Sequence, residues 1–181
     1  APVRNNATPQ EVETELRGQI ERAIKFGIDP THFDTHMLCG ISDPRFVPVV
    51  QKLGREYKVP VLLNPEAIKQ WIDMDLKPYI TEKDIVVDKL FMAFPEDYAK
   101  GMDNFYSGIL KSLKPGLSCI LLHAAYDGEE MRGVTGGHSG YGAGWRQADF
   151  NFFTSEKCKK LLAEQNIKLI TWREIRDKLL R

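Results

Sequence analysis

The sequence has no excess of charge of either sign. Its 181 residues carry 25 Lys and Arg against 25 Asp and Glu, with no basic run and no basic–aromatic stripe. That balance argues against a nucleic-acid partner. Cysteine is scarce: Cys39, Cys119 and Cys158 are far apart and odd in number. They form neither a CxxC pair nor a disulfide framework. No apolar stretch reaches the length that crosses a membrane, roughly 18 residues or more; the longest surrounds Cys119 to Ala125. There is no internal repeat, no low-complexity segment and no Asp-Asp pair. The sequence opens on Ala1, without a start Met or a signal-peptide pattern, so a processed chain and a piece of a longer chain are both open.

What is there is ordinary in bulk. Hydrophobic residues make up 43% and charged residues 28%, a composition suited to a soluble globular protein, cytoplasmic or exported, with one domain over 1–181. The information is concentrated in Thr31-His32-Phe33-Asp34-Thr35-His36. Read as a strand, this run places His32, Asp34 and His36 on one face and Phe33 and Thr35 on the other. A buried face would have to satisfy three polar groups, whereas a strand end carrying imidazole, carboxylate and imidazole can bind a divalent metal or run acid–base chemistry. A second polar cluster, His123 to Asp127 with Glu129 and Glu130, follows another strand-like run.

Residues 1–7 read as a polar tail. Thr8-Pro9-Gln10-Glu11 opens a helix, with Thr8 as N-cap, Pro9 at the first helical position and Glu11 closing a capping box; Gly27 ends it. Pro30 leads into a strand over 31–36, and Asp43-Pro44 starts a helix to about Lys58. Strands are expected over 59–63, 85–91, 117–123 and 167–172, with a short helix and an irregular loop within 66–83. Helices are expected over 95–113, 145–164 and from Arg173. Residues 126–144 hold seven glycines and no apolar period, so they read as a long functional loop. The alternation predicts an α/β fold, a parallel sheet wrapped by helices, open or closed as a barrel. Chemistry in such folds sits at the carboxyl ends of strands. His36, Asn64, Phe94 and His123 all fall at or just past such ends, which predicts one shared pocket. Tyr126, Trp145, Trp71 and Tyr141 are candidates for stacking on sugar rings, and His138 reads as a loop residue more than a ligand.

Three ordered stretches carry a resemblance. Pro30-Thr31-His32-Phe33-Asp34-Thr35-His36-Met37, then His123-Ala124-Ala125-Tyr126-Asp127, then Trp145 to Ser155 and Ile167 to Glu174, together resemble the YdjC-like carbohydrate deacetylases, relatives of the NodB-type polysaccharide deacetylases. The similarity runs over essentially the whole chain from residue 8. It implies a distorted (β/α) barrel that removes acetyl groups from N-acetylated sugars or oligosaccharides with a bound divalent metal, zinc or magnesium. It implies that His36 is a metal ligand and that His123 is the general acid. Asp149 and Arg146 read as residues that orient a catalytic group, and Asp34, Tyr126 and Trp145 as substrate contacts.

Two departures qualify the expectation. Ala124 stands where the family has proline, which would stiffen the turn beside the histidine. Family members also begin with a strand ending in an Asp-Asp pair that supplies the base and a metal ligand, and a further His ligand follows. These are expected to be absent, so the barrel is expected to be incomplete in this chain and to bind metal weakly or not at all alone. The unpaired edge of such a barrel predicts a homodimer or stabilisation by the missing amino-terminal segment. Two competing functions stand beside the deacetylase: a non-catalytic carbohydrate-binding or assembly module, and another barrel metal hydrolase acting on esters or phosphates.

Overall fold

The computed structural model describes residues 2–137 and 140–181. In chain order the elements are α1 (Pro2–Asn6), α2 (Pro9–Lys25), α3 (Val47–Tyr57), α4 (Pro65–Ile72), β1 (Lys89–Met92), α5 (Pro95–Lys100), α6 (Met102–Ser112), β2 (Ser118–Leu121), α7 (Glu129–Thr135), α8 (Ala143–Phe153), α9 (Glu156–Glu164) and α10 (Trp172–Leu179). The chain is α/β and mostly helical. It forms two compact units, Ala1–Asp88 with Ile170–Arg181, and Lys89–Leu169.

In the first unit, α2 begins as the sequence predicts. Thr8 N–H donates to Glu11 Oε2 at 2.8 Å and Glu11 N–H donates to Thr8 Oγ1 at 3.3 Å, which satisfies two end donors reciprocally. Val12 of α2 packs with Phe46, Val49 and Leu53. A second cluster gathers Ile41, Val47, Val50, Val61, Leu63 and Ile68. Gly54 lets α3 lie close on the following segment: a Cβ there would stand 2.7 Å from Val61 Cγ2 and 3.0 Å from the Val59 carbonyl. Buried Asn64 caps α4 through Oδ1, which accepts from Ala67 N–H at 2.7 Å, and its amide donates to the Val87 carbonyl at 2.7 Å.

The strands expected over 31–36 and 59–63 shrink to two parallel bridges, Phe33 with Val61 and Leu63 with Val86. The extended run ends at Thr35, because Met37 (φ 53°) and Leu38 (φ 59°) are left-handed and turn the chain into the 3₁₀ segment His36–Ile41. The strand expected over 85–91 is likewise displaced to β1. Residues 2–6, read as part of a polar tail, form α1.

Helix α10 is held to the first unit by charge. Arg176, with a side chain 2% exposed, donates to Asp29 Oδ1 at 2.6 Å, to the Pro30 carbonyl at 2.6 Å and to Asp177 Oδ1 at 2.7 Å. Arg173 also pairs with Asp29. The hydrogen bond from Arg176, then that from Arg173, holds the Asp29 carboxyl well below the usual carboxylate range. A carboxylate depressed in the folded state stabilises above its unfolded value, about 4, and that contribution fades as pH falls from there through the folded value. Thermal melts are therefore expected to drop in midpoint below about pH 4. Asp29→Asn should melt lower than the parent at neutral pH and show a shallower acid dependence. Parallel acid profiles for parent and variant would contradict this.

In the second unit, β1 and β2 pair in parallel with Lys89 opposite Ser118 and Met92 opposite Leu121. This two-stranded sheet packs on a cluster that includes Ala93, Met102, Tyr106, Ile109, Trp145, Phe152 and Cys158. The helix expected over 95–113 is two helices, broken at Gly101, whose φ of 98° only glycine adopts without strain. The helix expected over 145–164 breaks at Thr154, and Ser155 N-caps α9 by accepting from Cys158 N–H at 3.1 Å. The expected loop 126–144 contains α7. Its first turn carries Glu129 and Glu130 and its last Arg132, charges that suit the helix dipole. Among the described residues, 167–171 form no ladder; Leu169 and Ile170 are 78% and 54% exposed.

Candidate functional site

The two predicted histidine clusters belong to different units, and each has its own geometry. In the first, Phe33 N–H donates to the Pro60 carbonyl and Leu62 N–H to the Phe33 carbonyl, both at 2.8 Å. This fixes Phe33 and leaves its neighbours free of any ladder. His32 does not stand beside His36 as a second open imidazole. Its ring stacks on Trp172 at 4.6 Å and 8°, and its Nδ1 lies 3.1 Å from Thr31 Oγ1. Burial pushes the His32 imidazole down, against the pull of Asp34. Asp34 and His36 are exposed. His36 opens the 3₁₀ segment, directly before the two left-handed residues. Non-glycine residues in that region store roughly 1–2 kcal/mol each, and such strain concentrates at functional positions. Among the described residues, no three His, Cys, Asp or Glu side chains gather as a metal site. His36 and Asp34 thus offer two exposed donors and not a complete ligand set.

In the second unit, the chain leaving β2 runs extended along α8. Every second residue donates a backbone N–H to that helix: His123 to Asp149 Oδ2 at 3.0 Å, Ala125 to the Arg146 carbonyl at 3.1 Å and Asp127 to Gln147 Oε1 at 2.9 Å. This tether holds the backbone that proline would have stiffened in place of Ala124. It leaves the His123 side chain exposed, two residues past the end of β2. Asp149 is 1% exposed and its other oxygen accepts from the Tyr106 hydroxyl at 2.7 Å. Burial, with the Asp149 hydrogen bond, pushes the Tyr106 phenol far up, which keeps it a donor. Arg146 turns its Nε–H to the Tyr141 carbonyl at 3.0 Å. Tyr141 stands edge-on to His123, ring centroids 6.2 Å apart.

The predicted substrate contacts separate. Tyr126 is 70% exposed and packs one side on Phe150. Trp145 is a core residue, 4% exposed, with its ring engaged by Tyr98 at 4.9 Å and by Tyr141 at 4.4 Å. It is therefore a support, and not an open stacking surface. Asp127 forms an ion pair with Arg132 at 2.6 Å. His138 lies outside the described residues. Tyr106, Tyr98 and Trp172 were missed in the sequence because their partners lie tens of residues away; a buried Tyr facing an Asp leaves no local pattern.

The profile of the YdjC-like protein family matches residues 1–164. A carbohydrate deacetylase of Brevibacillus brevis is 28% identical over 178 residues, covering 94% of this chain and 63% of that protein. A carbohydrate deacetylase of Geobacillus stearothermophilus is 27% identical over 166 residues, covering 91% of this chain and 59% of that protein. The chain thus spans about three-fifths of the length of these curated relatives. A crystal structure of a candidate cellobiose-phosphate cleavage protein from Enterococcus faecalis superposes with a TM-score of 0.73 at 21% identity, covering 94% of this chain and 62% of that one, which shows a shared fold.

Proposed function

This chain belongs to the YdjC-like protein family, and on that premise we propose that it works as a carbohydrate deacetylase, hydrolysing the amide between an acetyl group and a sugar nitrogen. The observation that supports this most is His123, an exposed imidazole just past a strand's carboxyl end on a backbone tethered to α8. Amide hydrolysis adds water oxygen to the acetyl carbonyl and then breaks the C–N bond. The amine leaves readily only when protonated. His123 supplies that proton as general acid, giving acetate and the free amino sugar. Asp149 and Arg146 position the segment, one through the His123 amide and the other through its carbonyl and Tyr141. Exposed Tyr126 and Asp34 are offered as substrate contacts, whereas Trp145 is a buried support stacked between Tyr98 and Tyr141.

The reading extends to a (β/α) barrel and to a divalent cation, zinc or magnesium, with His36 as one ligand. The described residues do not complete the ligand set, and the role of His123 rests on its own position. Ligation requires a neutral imidazole, so cation binding should weaken at acid pH. EDTA treatment is expected to abolish acetate release from N,N′-diacetylchitobiose by the protein as its gene encodes it, with zinc or magnesium restoring it. Undiminished release after chelation would contradict the cation requirement. The incomplete ligand set favours a second reading, a sugar-binding module without catalysis; sugar binding with no acetate release by that same protein would select it.

A further inference from the structure

The second unit holds a cavity of about 340 Å³ beside α5 and the start of α8. Its size is in the range of small-ligand sites. One wall is aromatic. Tyr98, 42% exposed, lies parallel to Trp145 at 8° and 4.9 Å, and Trp145 in turn stacks on Tyr141. The Tyr141 hydroxyl donates to the Ala93 carbonyl at 3.1 Å, which locks that ring. Burial, with the nearby Glu96 and Asp97 carboxylates, pushes the Tyr141 phenol up and keeps it in this donor form. Much of the remaining lining is backbone, because Gly140, Gly142 and Gly144 carry no side chain. A Cβ at Gly144 would stand 3.2 Å from Tyr98 Oη, and one at Gly140 would stand 3.6 Å from Pro95 Cγ. Among the described residues, no charged side chain lines the cavity.

A half-exposed tyrosine ring beside bare backbone suits a flat, neutral, hydroxyl-bearing ring. The C–H face of a pyranose carries partial positive charge and meets the negative face of an aromatic ring. Its equatorial hydroxyls reach outward to backbone donors and acceptors. An anion would find no cationic side chain among the described lining residues. We infer that Tyr98 is the stacking platform of a pyranose subsite, supported from behind by Trp145 and adjoining His123 through Tyr141. The inference rests on the carbohydrate reading above and adds to it a residue and a place for the sugar that neighbours the acetylated one.

The test is a ¹⁵N-edited NMR titration of the protein as its gene encodes it with N,N′-diacetylchitobiose. Saturable shifts are expected at the Tyr98 and Gly144 amides and the Trp145 indole N–H. Tyr98→Ala should weaken the sugar about tenfold, as loss of one aromatic stack does, and Tyr98→Phe should bind within about twofold of the parent. Gly144→Ala, which narrows the cavity without touching the ring, should also weaken binding. Equal affinity in the parent and Tyr98→Ala overturns the inference. Shifts confined to residues around Tyr126 or His36, with the cavity silent, overturn it while leaving the carbohydrate reading intact. No shift anywhere in the protein overturns both.

Discussion

Replacing His123 with alanine is expected to lower acetate release from an N-acetylated disaccharide by about 10²–10⁴-fold, the range over which a positioned general acid acts. The effect should fall on kcat, because the proton is needed when the C–N bond breaks and not when the sugar binds. The fold should survive. The His123 side chain is exposed, and its contribution to the tether is a backbone N–H that alanine retains. A His123→Ala protein with the parent's melting temperature and almost no turnover is the predicted pair of results. Unchanged kcat with native melting would remove His123 from the chemistry and return it to the bland role of a residue at a strand end.

The second large effect is on stability. Asp149 is buried, and its two oxygens separately receive the Tyr106 hydroxyl and the His123 amide. Asp149→Leu would leave both donors without their acceptor. Tyr106 is 0% exposed, so water cannot replace the lost oxygen there. A buried unsatisfied donor costs roughly 1–3 kcal/mol, so the loss should total roughly 2–5 kcal/mol in urea unfolding, with an unchanged slope. Asp149→Asn keeps one acceptor oxygen but turns an amide N–H toward a donor, and should lie between. Combining Asp149→Leu with Tyr106→Phe separates the shared bond from the rest: the double variant should be less destabilised than the sum by roughly 0.5–3 kcal/mol. Strict additivity would mean that the Tyr106–Asp149 bond carries no stability of its own. The same Asp149→Leu protein should show a moved His123 amide resonance, because the acceptor sets that proton's shift.

These two predictions also mark what can be read in a one-dimensional pattern. The start of α2 was legible because Thr8, Pro9 and Glu11 act within one turn. The run 117–123 was legible as a strand because its apolar residues are continuous, and β2 lies inside it. His123 followed from its place at that strand's end. The break at Thr154 was equally local, since Ser155 is an ordinary N-cap, but the continuing apolar period hid it. Helix α7 was hidden by the glycines on either side, although Glu129, Glu130 and Arg132 carry the charge order of a helix. The alternation at 31–36 promised three polar groups on one face. The backbone instead turned left-handed at Met37 and Leu38, and His32 found Trp172, 140 positions along the chain. No local rule contains such a pairing. The same holds for Asp29 with Arg176 and for Asp149 with Tyr106. The candidate residues His36 and His123 were visible in the sequence, and so were Asp149 and Arg146, whereas Tyr106 and Trp172, which pack behind Asp149 and His32, were visible only after folding. Trp145 shows the reverse, since an aromatic near a candidate histidine reads as a sugar platform until its burial against two tyrosines is seen.

The most direct measurement compares three hydrolyses by the protein as its gene encodes it, with zinc or magnesium present: acetate from N,N′-diacetylchitobiose, acetate from p-nitrophenyl acetate, and phosphate from p-nitrophenyl phosphate. Efficient release of acetate from the sugar amide, lost in His123→Ala, with ester turnover far weaker and no phosphate release, is the predicted result. Turnover of the ester or the phosphate with none of the sugar amide would contradict the assignment as a carbohydrate deacetylase.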